Sequence, residues 1–383
     1  MLDIDPVQSG DTVSLLLKLV GEVCNLDCAY CYERRKPYSG NRLIEPDSVA
    51  RLLAQFPDRP LRVELHGGEP LLYPKDRMKR IVKILQQTPQ VESVAMQTNG
   101  TRLDSGWIEI FRPIAERFEI GVSLDGPADM NSWRLDHRGK PAMDAILRGL
   151  SLLNEQGIRA GLIAVVTRRS LGQEKALLEL ASQFPNVRLL KLVPCFDFGV
   201  QQGVGPRRSV ATRAASASGV AMGAAWSVTP VEFLAFLQNA FDLWLSEGFN
   251  ESFVLEPFLA LTRSLLGVST DTCSYSSVKC GHVVTLYPGD EVGSCDELDR
   301  GEAAIGRMDQ LRLDDTGYKG CRAAAAASAM MQKCSTCDYL NRCHGGCVAT
   351  RGRFRTVGRE EDYCNYRKGL IDFMADRIAE ARG

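Results

Sequence analysis

Three cysteines lie close together near the start of the sequence, Cys24, Cys28 and Cys31, with the spacing C-x3-C-x2-C. They follow an apolar segment, residues 14–20, that predicts a buried strand. Three thiolates on one loop can each bind a different iron of a [4Fe–4S] cube, which leaves the fourth iron without a protein ligand. That iron can bind a second molecule, so the loop predicts a reaction site. Zinc is the alternative, but a structural zinc site needs four ligands, and no other Cys or His follows before His66.

The spacing of these cysteines resembles the signature of the radical S-adenosylmethionine (SAM) enzymes. In that family the open iron binds the amino and carboxylate groups of SAM, and one electron from the cluster cleaves SAM into methionine and a 5′-deoxyadenosyl radical. The resemblance extends to the segment His66-Gly67-Gly68-Glu69-Pro70, which follows the second predicted strand. Related enzymes bind the SAM amino group with a Gly-Gly-Glu-Pro motif, and paired glycines let the backbone approach a ligand closely.

The same resemblance implies further residues of a SAM site. Tyr30, directly before the third cysteine, would lie against adenine or else pack in the core. Ser123 and Arg134 would contact the ribose hydroxyls and the SAM carboxylate, because the forked donors of Arg suit a carboxylate. The segment that precedes Arg134 is one residue shorter here than in many family members. The complete expected SAM site consists of Tyr30, Gly67, Gly68, Glu69, Pro70, Gln97, Asn99, Ser123 and Arg134.

Apolar strands alternate with amphipathic helices up to about residue 194, which predicts repeated β/α units and a parallel sheet. Six such strands can form an α/β fold of the partial (β/α)6 TIM-barrel type, the fold that radical SAM enzymes share. Chemistry on such a fold lies at the carboxyl ends of the strands, where the motifs above also fall. The predicted strands are residues 14–20, 62–65, 93–97, 119–123, 160–166 and 187–193, and the predicted helices are residues 46–55, 75–87, 105–117, 141–155 and 171–182.

Composition changes twice along the chain and suggests three parts. Residues 1–198 would form the barrel, and residues 199–270 a flexible loop followed by a helical linker. The loop, residues 199–227, is rich in Gly, Ala and Ser. Thr229 suits the N-cap of a helix that would run to about residue 246, and a second helix is expected at residues 256–266. Residues 271–383 would form a cysteine-rich domain with a C-terminal helix.

The C-terminal part contains the run C-x2-C-x5-C-x3-C, with three cysteines before it and one after it. This pattern resembles the SPASM domain, which holds two auxiliary [4Fe–4S] clusters in radical SAM peptide maturases. Two zinc sites with four cysteines each are the alternative. The spacing from Gly289 to Cys295 is one residue longer than usual. The resemblance implies Cys273, Cys280, Cys295 and Cys347 as ligands of cluster I, and Cys334, Cys337, Cys343 and Cys364 as ligands of cluster II.

Two cysteines remain outside these sets, and several acids could act in proton transfer. Cys195 follows the sixth predicted strand, so it is a candidate to contact substrate or else a buried free cysteine. Cys321 has no assigned role. Asp296 directly follows Cys295, and an Asp in this place is thought to take a proton from the substrate in anaerobic sulfatase-maturating enzymes. Weaker acid–base candidates are Asp197, Glu251 and His282.

Composition limits the partners and the compartment. The chain has 383 residues and a net charge of −1, so no overall field draws it to nucleic acid or to an anionic membrane. The start of the sequence lacks a secretory signal, and the sequence has no apolar run that could span a bilayer. Thirteen cysteines without an export signal predict metal or redox chemistry in a reducing cytoplasm. We expect a cytoplasmic monomer with three [4Fe–4S] clusters, SAM as cosubstrate and an electron donor of the flavodoxin or ferredoxin type.

The substrate remains open between several classes. The segment from His66 to Leu72 resembles peptide-crosslinking members of the family, so the main prediction is a RiPP maturase that oxidatively crosslinks a ribosomally made precursor peptide. A C–C cyclophane is the favoured bond, with a thioether or an ether as variants. The alternatives are an anaerobic sulfatase maturase that forms formylglycine from Ser or Cys, and a small-molecule dehydrogenase of the aminocyclitol type. A cluster scaffold without catalysis is a fourth possibility, against which the SAM motifs argue.

Only about 13 residues precede the first predicted strand, too few for a leader-binding domain. A precursor peptide is therefore expected to bind to the barrel and the SPASM surfaces. The loop of residues 199–227 would become ordered when the peptide binds.

Overall fold

The fold is taken from a computed structural model, which describes residues 12–36, 42–198, 223–268, 270, 272–276, 283–298, 300–310 and 322–382. Three residues singled out from the sequence lie outside these ranges, Cys280, His282 and Cys321, as does most of the predicted loop at residues 199–227.

The strands of the described residues form one sheet. In chain order they are Val13–Lys18 (β1), Leu61–His66 (β2), Val91–Thr98 (β3), Phe118–Ser123 (β4), Ala160–Val166 (β5), Val187–Pro194 (β6), Val254–Glu256 (β7), Val283–Tyr287 (β8), Glu291–Gly293 (β9) and Ala304–Arg307 (β10). Their order in the sheet is β10-β9-β8-β1-β2-β3-β4-β5-β6-β7. The pairs from β1 to β6 are all parallel, as the alternation of strands and helices predicts.

The helices follow the strands as crossover connections in the first half of the chain and pack together in the second. They are Pro46–Leu53 (α1), Lys75–Gln86 (α2), Ser105–Phe111 (α3), Met143–Glu155 (α4), Glu174–Ser182 (α5), Pro230–Ser246 (α6), Phe258–Leu265 (α7), Arg300–Ala303 (α8), Arg322–Cys334 (α9), Leu340–Cys343 (α10), Val348–Thr356 (α11) and Glu360–Glu380 (α12). Helix α12 packs against α6 and α7, and so joins the C-terminal part to the segment before it.

Alternating burial shows how the barrel strands face the core. In β2 the side chains of Leu61, Val63 and Leu65 are buried, and the residues between them are only partly covered. One face of this strand therefore lies in the hydrophobic core. Strand β1 is buried almost throughout, so both of its faces are covered. Its last residue, Lys18, is fully buried and points to a polar site at the end of the strand.

Strands at both margins extend the sheet beyond the six predicted ones. Strand β8 pairs in parallel with β1, and β7 pairs in parallel with β6. The segments that the sequence assigned to the linker and to the C-terminal domain therefore each add backbone hydrogen bonds to the barrel sheet. The six central strands do not close on each other, so the predicted open barrel is confirmed.

Several predicted boundaries were wrong for local reasons. The helix predicted at residues 105–117 ends at Phe111, where Pro113 turns the chain into a 3₁₀ helix, Arg112–Arg117. The helix predicted to start at residue 171 starts at Glu174, because a capped turn precedes it. The helix predicted from residue 256 starts at Phe258, because β7 occupies the residues before it.

Among the described residues, no helix combines the length and the apolar character needed to span a lipid bilayer.

The start of α6 provides a test of local stability. Thr229 Oγ1 accepts a hydrogen bond from the Glu232 amide at 3.2 Å, and Glu232 Oε2 accepts one from the Thr229 amide at 2.8 Å. We expect Thr229→Ala to lower the free energy of unfolding by about 1 kcal/mol, because the Glu232 amide loses the side-chain oxygen that caps it. Thr229→Ser keeps the oxygen and should retain most of the stability. Urea unfolding followed by circular dichroism measures both, and an equal loss in the two variants would contradict the capping role.

Candidate active site

The three N-terminal cysteines lie on a loop that follows β1 and is held at its backbone. The Asp27 amide donates to the Leu135 carbonyl at 2.6 Å, and the Ala29 amide donates to the Trp133 carbonyl at 3.0 Å. The Cys31 amide turns back to the Cys28 carbonyl at 3.1 Å. The segment after β4 therefore fixes the path of the cysteine loop at the carboxyl ends of the strands.

The three thiols are close enough to influence each other electrostatically. Burial raises the pKa of Cys24 well above its ordinary value, and the neighbouring Cys31 and Cys28 raise it further. Burial also raises the pKa of Cys28 to about 12, although the Arg134 charge opposes this. Buried thiols of this kind lose their protons only when a cation takes the negative charge, and metal binding supplies that cation.

The donor set fits an iron–sulfur cube better than one metal ion. Within the described ranges, no three His, Cys, Asp or Glu side chains converge closely enough to hold a single ion. The three donors are all thiols on one loop, and thiolates are the ligands that iron–sulfur cubes take. The Cys24 sulfur also accepts from the Leu26 amide at 3.3 Å and from Asn99 Nδ2 at 3.7 Å. Such donors stabilise the charge on a ligand sulfur.

Gly68 packs directly on the cysteine loop. Its amide donates to the Gly21 carbonyl at 2.8 Å, and the Glu69 amide donates to the Val23 carbonyl at 2.9 Å. A Cβ atom on Gly68 would collide with the backbone of Glu22 and Val23. The glycine is therefore needed for contact between two loops, whereas the sequence suggested contact with a ligand.

Glu69 joins the ends of β2 and β3. Its carboxylate is fully buried and accepts from the Leu71 amide at 3.0 Å, from Thr98 Oγ1 at 2.6 Å and from the Asn99 amide at 2.8 Å. Burial raises the pKa of Glu69, and these three donors oppose the rise. Pro70 is buried and begins a short 3₁₀ turn after this residue.

The loop that carries Asn99 connects this network to the cysteines. Asn99 Nδ2 donates to Asn25 Oδ1 at 3.0 Å, and its Oδ1 accepts from Thr101 Oγ1 at 2.7 Å. These hydrogen bonds fix the orientation of the Asn99 side chain, whose Nδ2 also donates to the Cys24 sulfur. On the neighbouring strands, Gln97 Nε2 donates to Ser123 Oγ at 2.9 Å, so these two predicted SAM contacts lie side by side.

Asp125 is a buried acceptor that the sequence analysis did not assign to the site. Its carboxylate accepts from the Tyr30 hydroxyl, from Arg134 Nη2 at 2.8 Å and from the Val165 amide at 3.0 Å. Burial alone would lower the pKa of Arg134, but Asp125 raises it above its ordinary value. The Arg134 guanidinium also lies 5.6 Å from the centre of the Tyr30 ring. Tyr30, Asp125 and Arg134 thus form one charged group beside the cysteine loop. Tyr30 and Arg134 were expected near SAM, whereas Asp125 was marked in the sequence by the Asp-Gly-Pro turn after β4.

Cys195 lies in a small aromatic cluster. It is buried with Tyr30 and Trp226, and Trp133 packs against this group. The two indoles meet edge to face, with their ring centres 5.7 Å apart.

Of the weaker acid–base candidates, Asp197 has a structural partner, because Trp226 Nε1 donates to its buried carboxylate at 2.7 Å. Glu251, the other described candidate of this kind, is exposed to solvent.

Asp296 lies in a different group, centred on the buried Lys18. Lys18 Nζ lies 2.7 Å from Glu33 Oε1 and 3.3 Å from Asp296 Oδ2. The Tyr32 hydroxyl donates to Asp296 Oδ2 at 3.0 Å, and His66 Nδ1 lies 3.6 Å from the same oxygen. The group therefore joins β1, β2 and the cysteine loop to a carboxylate from the C-terminal part.

Opposite charges decide the ionisation of this group. Burial would raise the pKa of Asp296, but Lys18, His66 and Lys36 hold it well below its usual range. Burial would lower the pKa of Lys18, but Glu33 and Asp296 raise it. Asp296 is therefore a carboxylate, and its ion pairs weaken it as a proton acceptor while they last. Its predicted role as a base remains a prediction.

Several of the described C-terminal cysteines lie near arginines. Cys334 and Cys364 both act on the charge of Arg351, and Cys343 acts on Cys364. Cys295 and Cys347 both act on the charge of Arg353. The Cys337 amide donates to the Cys334 carbonyl at 2.9 Å, and Cys273 begins a short 3₁₀ turn, Cys273–Tyr275. The ligand sets themselves, which include Cys280, remain predictions.

Comparison with known proteins identifies the barrel. Residues 19–181 match the model of the radical SAM superfamily. The chain contains a radical SAM domain. A solved structure described as native anSMEcpe with bound AdoMet and Cp18Cys peptide is 20% identical, with a TM-score of 0.76 over 97% of this chain and 99% of that one. The predicted radical SAM fold with a cysteine-rich C-terminal part of the SPASM type is thereby confirmed.

Two curated relatives show what the whole chain resembles. The serine-type anaerobic sulfatase-maturating enzyme of Bacteroides thetaiotaomicron is 27% identical over 368 residues, which cover 92% of this chain and 86% of the relative. The cysteine-type enzyme of Clostridium perfringens is 22% identical over 389 residues, which cover 96% of this chain and 97% of the relative. The prediction of a crosslinking, cyclophane-forming maturase was wrong, because relatives that match over nearly the full length are sulfatase-maturating enzymes. The segment from His66 to Leu72 suggested the crosslinking function, but one short motif weighs less than similarity along the whole chain.

Gly68 provides a test of loop packing. We expect Gly68→Ala to destabilise the protein by about 1–3 kcal/mol, because a methyl group would push the cysteine loop aside. Iron bound after anaerobic reconstitution should fall at the same time. Gly161→Ala in β5 is the matched control, since its Cβ would meet Leu189 only at ordinary contact distances of 3.7 Å. Full iron content and stability in the Gly68 variant would contradict the close contact.

Lys18 provides a test of the buried charges. We expect Lys18→Met to lower the free energy of unfolding by about 3–5 kcal/mol, because it removes the buried cation that pairs with both Glu33 and Asp296. Adding Asp296→Asn should recover part of this loss. The control is Lys175→Met, which breaks an exposed ion pair with Glu247 and should cost less than about 1 kcal/mol. Denaturant unfolding measures these three variants and Asp296→Asn alone, and strictly additive losses in the double variant would rule out coupling between Lys18 and Asp296.

Proposed function

We propose that this protein oxidises the side chain of a Ser or Cys residue in a protein substrate to formylglycine. The observation that carries the proposal is similarity over almost the whole chain to sulfatase-maturating enzymes of both the serine and the cysteine type. The neighbour in the same fold, described with bound AdoMet and a Cys peptide, supports a peptide substrate.

The reaction removes two hydrogens from the substrate side chain. When bound, the N-terminal cluster supplies the electron that cleaves SAM and so provides a 5′-deoxyadenosyl radical. A hydrogen atom leaves Cβ of the substrate and forms 5′-deoxyadenosine. One electron and the hydroxyl or thiol proton then leave the substrate, which forms a C=O or C=S double bond. Serine gives the aldehyde directly, whereas water converts the thioaldehyde from cysteine to the aldehyde and hydrogen sulfide.

The proposal assigns this chain's residues to three tasks. Cys24, Cys28 and Cys31 hold the N-terminal cluster, and the loops around Glu69 and Asp125 form the SAM site with the residues predicted from the motifs. Arg134 remains suited to a carboxylate, because its buried Nε has no hydrogen-bond partner among the described residues. Asp296 faces the substrate from the group around Lys18, at the carboxyl ends of β1 and β2.

The electron that leaves the substrate requires an acceptor, which the proposal places in the C-terminal cysteines. Two auxiliary [4Fe–4S] clusters held by Cys273, Cys280, Cys295 and Cys347 and by Cys334, Cys337, Cys343 and Cys364 would accept it. A flavodoxin or ferredoxin would deliver the electron that cleaves SAM.

Three peptides that differ at one position test the proposal. They copy one sulfatase active-site segment and carry Ser, Cys or Ala at the residue to be modified. Each is incubated anaerobically with reconstituted protein, dithionite and SAM, and is then analysed by mass spectrometry and aldehyde trapping. We expect an aldehyde from the Ser peptide, the Cys peptide or both, and none from the Ala peptide, which has no oxidisable heteroatom.

A variant without the N-terminal thiols, Cys24→Ala with Cys28→Ala and Cys31→Ala, controls for unrelated oxidation. It should form neither aldehyde nor 5′-deoxyadenosine. Formation of 5′-deoxyadenosine by the unaltered protein without aldehyde in any sulfatase peptide would count against the substrate class. A product retained on the peptide as a new intramolecular bond would exclude formylglycine formation.

A further inference from the structure

Arg351 is one of the largest fully buried side chains of the protein, with 2% of its surface exposed. It lies in α11, the helix that begins directly after Cys347. A buried guanidinium is costly unless its donors and its charge are compensated. Arg351 lies inside a cysteine-rich region, so its charge and its donors must be compensated by groups in that region.

The partners of Arg351 are a sulfur and a carboxylate. Its Nη1 donates to the Cys334 sulfur at 3.0 Å, and its Nε donates to Glu360 Oε1 at 2.8 Å. A further contact joins Nη1 to the Gly345 carbonyl at 3.4 Å. The nearby Cys364 also raises the pKa of Arg351. The guanidinium thus lies between two cysteines and one acid.

The surrounding charges are few and can be varied one at a time. Glu360 lies at the start of α12 and also pairs with Lys333 at 3.2 Å. Lys333 contacts Glu361 in turn at 2.8 Å, on the solvent side of the pair. Arg355 follows on the same helix as Arg351 but is exposed, so it offers the same charge without the buried contact.

We propose that Arg351 raises the reduction potential of the auxiliary cluster that Cys334 ligates, and that Glu360 limits this effect. Reduction of a [4Fe–4S] cluster adds one electron and so increases the negative charge on its sulfurs. A charge-assisted N–H donor to a ligand sulfur stabilises that added charge, and hydrogen bonds to sulfur and net charge are known determinants of cluster potentials. The neighbouring carboxylate opposes the same electron. This inference rests on the auxiliary clusters of the proposed function and names a residue that adjusts one of them.

Charge variants of the full-length, anaerobically reconstituted protein test the proposal. Arg351→Gln removes the charge, Arg351→Lys keeps the charge but not the forked donor, and Glu360→Gln removes the opposing carboxylate. Arg355→Gln is the matched control. Each protein is titrated with dithionite and followed by electron paramagnetic resonance, with iron, sulfide and zinc measured on the same sample.

We expect the midpoint potential of one cluster to become more negative in Arg351→Gln, with Arg351→Lys between that variant and the unaltered protein. Glu360→Gln should move the same midpoint in the opposite direction, and Arg355→Gln should leave it unchanged. Opposite shifts distinguish control by charge from a general disturbance of packing, which would not depend on the sign of the charge removed.

Unchanged midpoints in both the Arg351→Gln and Glu360→Gln proteins at full iron content would overturn the proposal. Shifts of both variants in the same direction, or zinc in place of iron at these cysteines, would overturn it as well. If Arg351→Gln binds no iron, Glu360→Gln decides alone: a more positive midpoint supports the proposal and an unchanged one refutes it. The peptide assay is independent of these titrations. If no peptide forms an aldehyde but the midpoints shift as expected, the proposed function fails and the role of Arg351 stands.

Discussion

The close contact between two loop backbones, at Gly68 and at Val23, determines where the chemistry of this protein can occur. One loop follows β2, and the other carries the cysteines after β1. Because no side chain separates them, their amides and carbonyls can form hydrogen bonds, and the sulfurs come to lie beside Glu69 and Asn99. The neighbouring parallel strands bring both loops to the same edge of the sheet. A larger residue at this point would separate the cysteines from the residues that surround them.

Charge compensation organises the regions around this contact. Asp125 pairs with Arg134 on one side of the cysteine loop, and Lys18 pairs with Glu33 and Asp296 on another. The second set joins segments that are far apart in sequence. An isolated charge in either place would be costly. The ion pair between Lys18 and Asp296 also attaches the C-terminal part to the end of the first strand. The same ion pairs therefore position the residues around the cysteine loop and stabilise the fold.

Much of the barrel could be predicted from the sequence, because β/α alternation and strand burial are local patterns. The fifth strand was predicted with its exact ends, and the cysteine loop was found from spacing alone. Lys18 was missed because a single cation at the end of an apolar run does not alter the pattern of a strand. Asp125 and Arg351 were missed because their importance comes from partners brought together only by folding. Strand β7 has three residues and depends on pairing with β6, so its own sequence gives little signal.

The pairing of β8 with β1 has a consequence for dissecting the protein. A fragment that ended near residue 198 would lack β8 and β7, the neighbours of both outer barrel strands. Two rows of backbone amides and carbonyls would then face solvent, and unpaired strand edges of this kind recruit other chains. Truncation would thus favour self-association of the barrel and would not yield a well-behaved catalytic core.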